Sequence, residues 1–253
     1  MTAMQLFALP GLPEFLPGDD VAALIAQSLN DNDLSLEQGD VIVIAQKIIS
    51  KAESRYAYYK DVKVTDKAQT LALQCDKDPR LVQLILEESV DVLRVRPGVI
   101  IVEHRSGYVH ANAGIDKSNL PTSDDERVLL LPKDSDASAK KIAASLKQQC
   151  NVDCGVIIND SAGRAWRNGT LGFAIGTAGF NPLVDMVGKK DMHGRVMEVT
   201  EVAVADELAA AASYLMGQAD EARPVVIIRG ANVQLGDFPS KVLIRDRNRD
   251  MFR

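Results

Sequence analysis

Four short runs of branched apolar residues punctuate the chain: Val41-Ile42-Val43-Ile44, Val99-Ile100-Ile101-Val102, Val156-Ile157-Ile158 and Val225-Val226-Ile227-Ile228. Runs of this length, bounded by turn residues, read as strands. The first follows Gly39-Asp40 and suits a central strand, and the third belongs to a strand over residues 152–158. Further strands are expected at residues 5–9, 92–95, 127–131 and 241–244, with a tight turn at Arg96-Pro97-Gly98. Helical spacing marks residues 19–29, where Val21, Leu24, Ile25 and Leu29 share a face and Gly18 and Asp19 form the expected cap. Residues 66–75, 79–89, 134–149 and the alanine-rich 201–216 also read as helices. Strands and helices mix without strict alternation, which favours an α+β fold of mixed sheets with helices over a doubly wound sheet. No repeat or low-complexity linker divides the 253 residues, so one domain is expected. Thr122-Ser123-Asp124-Asp125 is a candidate boundary between two lobes of it.

Composition narrows the function classes. A formal net charge of −6 argues against a nucleic-acid footprint over the whole surface. No apolar run approaches the roughly 20 residues of a membrane span, and no basic segment precedes an apolar one at the start, so a cytoplasmic protein is expected. Cys150 and Cys154 are spaced unlike a redox pair, with no histidine nearby to complete a zinc site. With Cys75 they read as reduced, structural thiols.

Chemistry concentrates in the stretch Asn159 to Gly169, which follows the third apolar run and reads as a loop at a strand's end. Asp160 and Ser161 offer oxygens to a hard cation, and Arg164 and Arg167 offer forks to phosphate or carboxylate. Trp166 reads as a packing anchor. Lys47 and Lys51 lie four apart after the first run, so a helix there places both ammonium groups on one face. That face is either solvated or an anion site, the latter favoured by position beyond a central strand. Gly114-Ile115-Asp116-Lys117-Ser118-Asn119 reads as a turn, or as a site in which Asp116 holds metal and Asn119 contacts a nucleotide. The glycines of Gly172 to Gly179 resemble a phosphate loop only loosely. Without a Gly-Lys-Ser or Gly-Lys-Thr, close packing of strand on strand explains them better. Asp185, Asp191 and Gly194-Arg195 form a further polar loop, and His193 beside it reads as a surface residue.

These segments, in this order, resemble the coenzyme F420:L-glutamate ligase family (F420-0:gamma-glutamyl ligases, CofE). The matching pieces are Gly11-Leu12-Pro13-Glu14-Phe15, residues 46–53, residues 114–119, the stretch from Asn159, Ala174-Ile175-Gly176, Asp191-Met192-His193-Gly194-Arg195 and Ala205-Asp206-Glu207-Leu208-Ala209. The likeness covers nearly the whole chain. It implies GTP-dependent attachment of L-glutamate to F420-0 with gamma-linked extension, a CofE-like fold in an intertwined homodimer, a pair of magnesium or manganese ions per subunit, and K+. It also implies the ligase module alone, without a C-terminal reductase-like extension. By position, Asp116, Asp160, Ser161 and Gln218 match metal ligands. Leu12, Pro13, Glu14, Phe15, Gln46, Lys47, Lys51 and Asn119 match GTP surroundings, as do Met216, Gly217, Gln218, Ala219, Asp220, Glu221, Ala222 and Arg223. Lys47, Lys51 and Arg164 match the catalytic set, Arg164 or Arg167 holding the carboxylate of glutamate. Two stretches depart from the family pattern. Where Ser-Asp-Thr-Phe-Gly-Arg is common, this chain has Asn159 to Arg164, so Ser161 keeps a hydroxyl while Ala162 lacks an aromatic ring. The loop before Pro224, often carrying Glu and glycines, here has Gln218, Asp220 and Glu221.

The expected reaction passes through an acyl phosphate, with GTP, L-glutamate and F420-0 as substrates. Two alternatives stay open: a related ligase using another acidic acceptor, and an inactive nucleotide-binding partner of a deazaflavin enzyme.

Overall fold

The computed structural model describes residues 3–120 and 126–252, which form an α+β fold with several sheets. The expected lobe boundary at residues 122–125 lies outside the described residues. The strands are β1 (Gln5–Ala8), β2 (Val41–Ala45), β3 (Tyr56–Tyr58), β4 (Ser89–Arg96), β5 (Val99–His104), β6 (Val109–Ala111), β7 (Arg127–Leu129), β8 (Gly155–Arg164), β9 (Arg167–Ala178), β10 (Val184–Asp185), β11 (Glu201–Val202) and β12 (Val225–Arg229). The α-helices are α1 (Val21–Asp31), α2 (Gln46–Ala52), α3 (Asp66–Cys75), α4 (Pro79–Glu87), α5 (Ser135–Cys150) and α6 (Val204–Met216).

The main sheet has the order β1-β12-β2-β8-β9. Only β2 and β8 run parallel, in register from Val41↔Gly155 to Ala45↔Asn159. The continuous apolar run of β2 is explained by burial on both faces. Ile42 and Ile44 pack with α1 and α5, while Val41 and Val43 pack with α6. Each such fully buried side chain contributes about 1.5–3 kcal/mol. The glycines of β9 serve close packing, but of helix on strand. A Cβ at Gly172 would lie 2.5 Å from the carbonyl oxygen of Ala209 in α6, and one at Gly176 would lie 2.5 Å from that of Ser135 in α5.

A second sheet, β4-β5-β6, buries its apolar face under α3 and α4, and β3 pairs with β7 beside it. The expected turn joins β4 to β5, Gly98 taking the positive φ of 87° that it requires.

Several expectations change. The cap of α1 is Asp20, whose carboxylate accepts from Ala23 N, while Asp19 accepts from Leu16 N. Residues 201–216 divide into β11 and α6. Residues 241–244 do not form a strand: a 3-10 turn over Ser240–Leu243 docks on β9 by side chains. The strand entered by Val156 does not stop at Ile158 but continues through Arg164. The three cysteines are free, and burial pushes the Cys154 thiol up to about 12.

Candidate functional site

Because β2 and β8 are parallel, their carboxyl ends open on the same side of the sheet, the usual place for a ligand crevice in such a layout. A cleft of about 610 Å³ lies there. It is lined by Leu12, Pro13, Glu14, Phe15, Gln46, Lys47, Lys51, Asn119, Asp160, Ser161 and every residue from Met216 to Arg223. Thus the whole set expected around a nucleotide converges on one cavity, although its members are far apart in sequence.

The chain turns from β2 directly into α2, and the two lysines fall on one face as their spacing requires. Each meets its own carboxylate. Lys47 Nζ lies 2.8 Å from Asp116 Oδ2 and donates to Ser118 Oγ at 2.6 Å. Lys51, only 9% exposed, lies 3.6 Å from Glu14 Oε1. Burial pushes the Asp116 carboxyl up, but Lys47 and the Ser118 amide outweigh it and hold the group below the usual carboxylate value.

Asp116 sits on a strained support. Asn112, Ala113 and Gly114 have φ of 52°, 55° and 68° in succession. A left-handed non-glycine residue costs roughly 1–2 kcal/mol, and such strain persists only where the surroundings over-determine it. Here Ala113 is fully buried, Asn112 Oδ1 accepts from Ile100 N, and Asp116 exchanges both backbone bonds with Leu129. Farther along, Asn119 donates from its amide to Ala219 O, tying this segment to the loop after α6. In that loop Gly217 has φ of 79°, and a Cβ there would collide with the Glu221 carboxylate at 2.1 Å. Gln218 donates to Ser213 Oγ.

Asp160 lies on β8 with both oxygens engaged. Oδ1 accepts from Ser161 N at 2.9 Å, and Oδ2 is 3.0 Å from His110 Nε2. Burial pushes the His110 ring down, but its bond to Asp160 and that carboxylate's charge more than offset this, so its pKa is raised. Next to Asp160 is Asn159, whose buried Oδ1 has no hydrogen-bond partner. His110 was not among the expected site residues. Its signal is faint: a histidine on a three-residue strand whose inward direction depends on pairing with β5.

The remaining expectations are placed elsewhere. The stretch from Asn159 is the arm of a hairpin, not a loop, and β8 and β9 pair from Val156↔Ala178 to Arg164↔Arg167. Trp166 occupies the hairpin turn at φ 65° and is 84% exposed, so it is not a packing anchor. Arg164 donates to Gly169 O near that tip and is not among the residues lining the cleft. Asp116 meets the cleft through Lys47. His193 is exposed, in a turn whose backbone amide is capped by Asp191.

Two lysines, a half-buried aspartate and a hydroxyl at the ends of parallel strands define an enzyme-like cleft suited to anionic ligands. The chain belongs to the F420-0:gamma-glutamyl ligase family, whose model matches residues 11–230. It is 45% identical over 252 residues to the coenzyme F420:L-glutamate ligase of Methanothermobacter thermautotrophicus, covering 99% of both chains. It is 44% identical to that of Methanopyrus kandleri (94% of this chain, 92% of the relative) and 43% identical to that of Methanocaldococcus jannaschii (96% and 94%). No helix among the described residues is long and apolar enough to cross a membrane.

Proposed function

We propose that this chain is a GTP-dependent ligase that joins L-glutamate to F420-0 and extends a gamma-linked oligoglutamate tail. The observation that carries this reading is the single cleft that gathers Lys47, Lys51, Asp160, Ser161 and the 216–223 loop. Family membership supplies the substrate class.

A carboxylate cannot be attacked by an amine until one oxygen becomes a leaving group. In the proposed sequence a carboxylate oxygen of F420-0 attacks the γ-phosphorus of GTP and GDP departs, leaving an acyl phosphate. The glutamate amine then attacks the acyl carbon and loses a proton, and inorganic phosphate leaves. Phosphoryl transfer of this kind depends on positioning and charge neutralisation. Lys47 and Lys51 fit that task, since the cleft holds their ammonium groups on one helical face. The strained turn and the Asn119 bond fix the walls around them.

The oxygen donors fit magnesium or manganese. Asp160, Ser161 and the unpartnered Asn159 Oδ1 are consecutive and all line the cleft, while no trio of His, Cys, Asp and Glu able to hold a metal ion gathers among the described residues, so phosphate and water would have to supply the remaining oxygens. Such an ion takes one or two protein carboxylates and draws its other oxygens from phosphate and water. Asp160, Ser161 and Gln218 would hold it, and Asp116 would join them where phosphate draws Lys47 away. Bound there, the divalent ions, expected as a pair with K+ alongside, would offset charge on the phosphate oxygens.

The test is incubation of the purified protein with GTP, L-glutamate, F420-0 and Mn2+, followed by mass spectrometry. Products gaining successive glutamyl units, with matching GDP release, are expected. Turnover only with another acid would replace F420-0 as the acceptor, and GTP binding without turnover would make the chain an inactive partner. We also assign it to a homodimer, to which the exposed Trp166 at the hairpin tip would offer one apolar side chain. A monomer mass by light scattering would refute this.

A further inference from the structure

The segment from His110 to Asn119 touches three walls of the cleft in ten residues. His110 bonds Asp160 on β8, Asp116 bonds Lys47 on α2, and Asn119 bonds Ala219 in the loop after α6. Of these contacts, the first is the most enclosed. His110 is 7% exposed, and its ring lies 5.6 Å from that of Phe173, the cross-strand partner of Asp160. The other ring nitrogen, Nδ1, lies 2.9 Å from Ala111 O. A backbone carbonyl and a carboxylate both accept, so Nδ1 and Nε2 each carry a hydrogen and the ring is an imidazolium. The ring is thereby fixed at one nitrogen, on one face and at the carboxylate.

We propose that His110 is a positioning residue, whose Nε2–H holds Oδ2 of Asp160 so that the carboxylate presents one orientation to a divalent ion in the cleft. The inference rests on the proposed function, in which Asp160 is a ligand of that ion. It extends it by naming the group that orients the ligand from outside the cleft lining. Asp160 has a second anchor in the Ser161 amide, which engages its other oxygen at 2.9 Å. A residue that supports a metal ligand in this way is worth roughly 10–100-fold in metal affinity or activity. His110 does not line the cleft itself, so it should act on the ion and on turnover without contacting GTP.

The test compares His110→Gln, whose side-chain amide can replace Nε2–H, with His110→Asn, whose shorter amide cannot reach Asp160. His110→Met serves as a second variant without a donor, in case the asparagine variant does not fold. Mn2+ binding in the presence of GDP, followed by electron paramagnetic resonance, is the readout, alongside kcat and KM for GTP at saturating Mn2+. The proposal expects the glutamine variant to bind Mn2+ within threefold of the unaltered protein. The donor-free variant should bind about tenfold more weakly or worse, with kcat reduced and KM for GTP unchanged. Equal Mn2+ affinity in the glutamine and donor-free variants would overturn it, whether both match the unaltered protein or both fall. If the unaltered protein binds no Mn2+ with GDP, the metal-dependent reading fails and takes this proposal with it.

Discussion

Lys51→Met separates function from stability, because Lys51 combines burial with weak pairing. The residue is 9% exposed, and Glu14 is 3.6 Å away, beyond an ordinary hydrogen bond, with a side chain 58% exposed. Withdrawing an ammonium from water costs several kcal/mol even after relaxation, and a distant, solvated carboxylate recovers only part of it. Methionine fills similar volume with no charge, so the ligand-free protein should keep or gain stability, by about 1 kcal/mol. In a protein of this size that is a rise of roughly 2–4 °C in Tm. GTP should reverse the order. At 100 times its Kd a ligand stabilises by about 2.7 kcal/mol. Loss of one charge-assisted contact, about 1.5–3 kcal/mol, weakens binding tenfold or more. At the same GTP concentration the variant would then gain only about 1.4 kcal/mol. The assay is a pair of thermal melts, with and without GTP and Mn2+, plus steady-state kinetics. A ligand-free Tm several degrees below that of the unaltered protein, together with full protection by GTP, would refute the reasoning: Lys51 would then be a structural cation.

Asp160→Ala should reduce GTP turnover by orders of magnitude with the fold retained, and near-normal GDP release at saturating Mn2+ would remove the residue from the site. Gly172→Ala forces a methyl group to within 2.5 Å of the Ala209 carbonyl oxygen and 2.6 Å of Asn159 Oδ1. Overpacking of this kind costs about 1–3 kcal/mol, so a Tm within 1 °C of the original, on the scale of ~2–4 °C per kcal/mol, would show that α6 is not seated as described. Glu88→Gln tests the buried cluster in which Arg55, His104 and Arg105 surround one carboxylate. Burial pushes Glu88 up, but its three basic neighbours hold it below its ordinary value of 4.5. Its contribution is therefore complete above that value and is lost as pH falls through the depressed one. Urea melts should find the variant less stable by about 3 kcal/mol at neutral pH, the gap closing in acid; a gap that widens in acid would contradict the sign.

The features visible in sequence are those set by local pattern. Val41 to Ile44, a continuous apolar run, suits the central strand it forms, and Asp134 caps α5 through Ala137 N one position before its first turn. The hairpin was hidden because Asp160, Ser161 and Gly163 favour turns locally, while the energy that extends β8 comes from β9, which lies beyond the hairpin turn. Residues 241–244 form a short apolar run like a strand but find no free edge at this part of β9. Asp206 accepts from Ala174 N, Asp136 accepts from Thr177 N, and Ser240 Oγ donates to Ile175 O. With the ladder groups of β9 already satisfied by side chains, a further strand has no partner to pair with. The lysine pair was legible from its spacing of four. The partners of those lysines were not, because Glu14 and Asp116 arrive from segments tens of residues away.

Those partners bear on how an anion could enter. Both lysines facing the cleft already meet a carboxylate: Lys47 meets Asp116 and Lys51 meets Glu14, while His110 bonds Asp160 behind the lining and Arg223 also lines the cleft. A triphosphate entering alone would have to take the lysines from their carboxylates and leave Asp116 and Glu14 unpaired beside four further negative oxygens or so. That exchange is unfavourable unless positive charge enters with the anion. A divalent ion bound between the phosphates and the carboxylates would restore the balance at each step, neutralising phosphate oxygen and the carboxylate that the lysine has left. On the proposed function, GTP and its metal ions should therefore bind in a mutually dependent way, each raising the affinity of the other by the same factor. Independent binding of GTP in the presence of a chelator, with unchanged Kd, would be inconsistent with a cleft whose two lysines are paired in this manner.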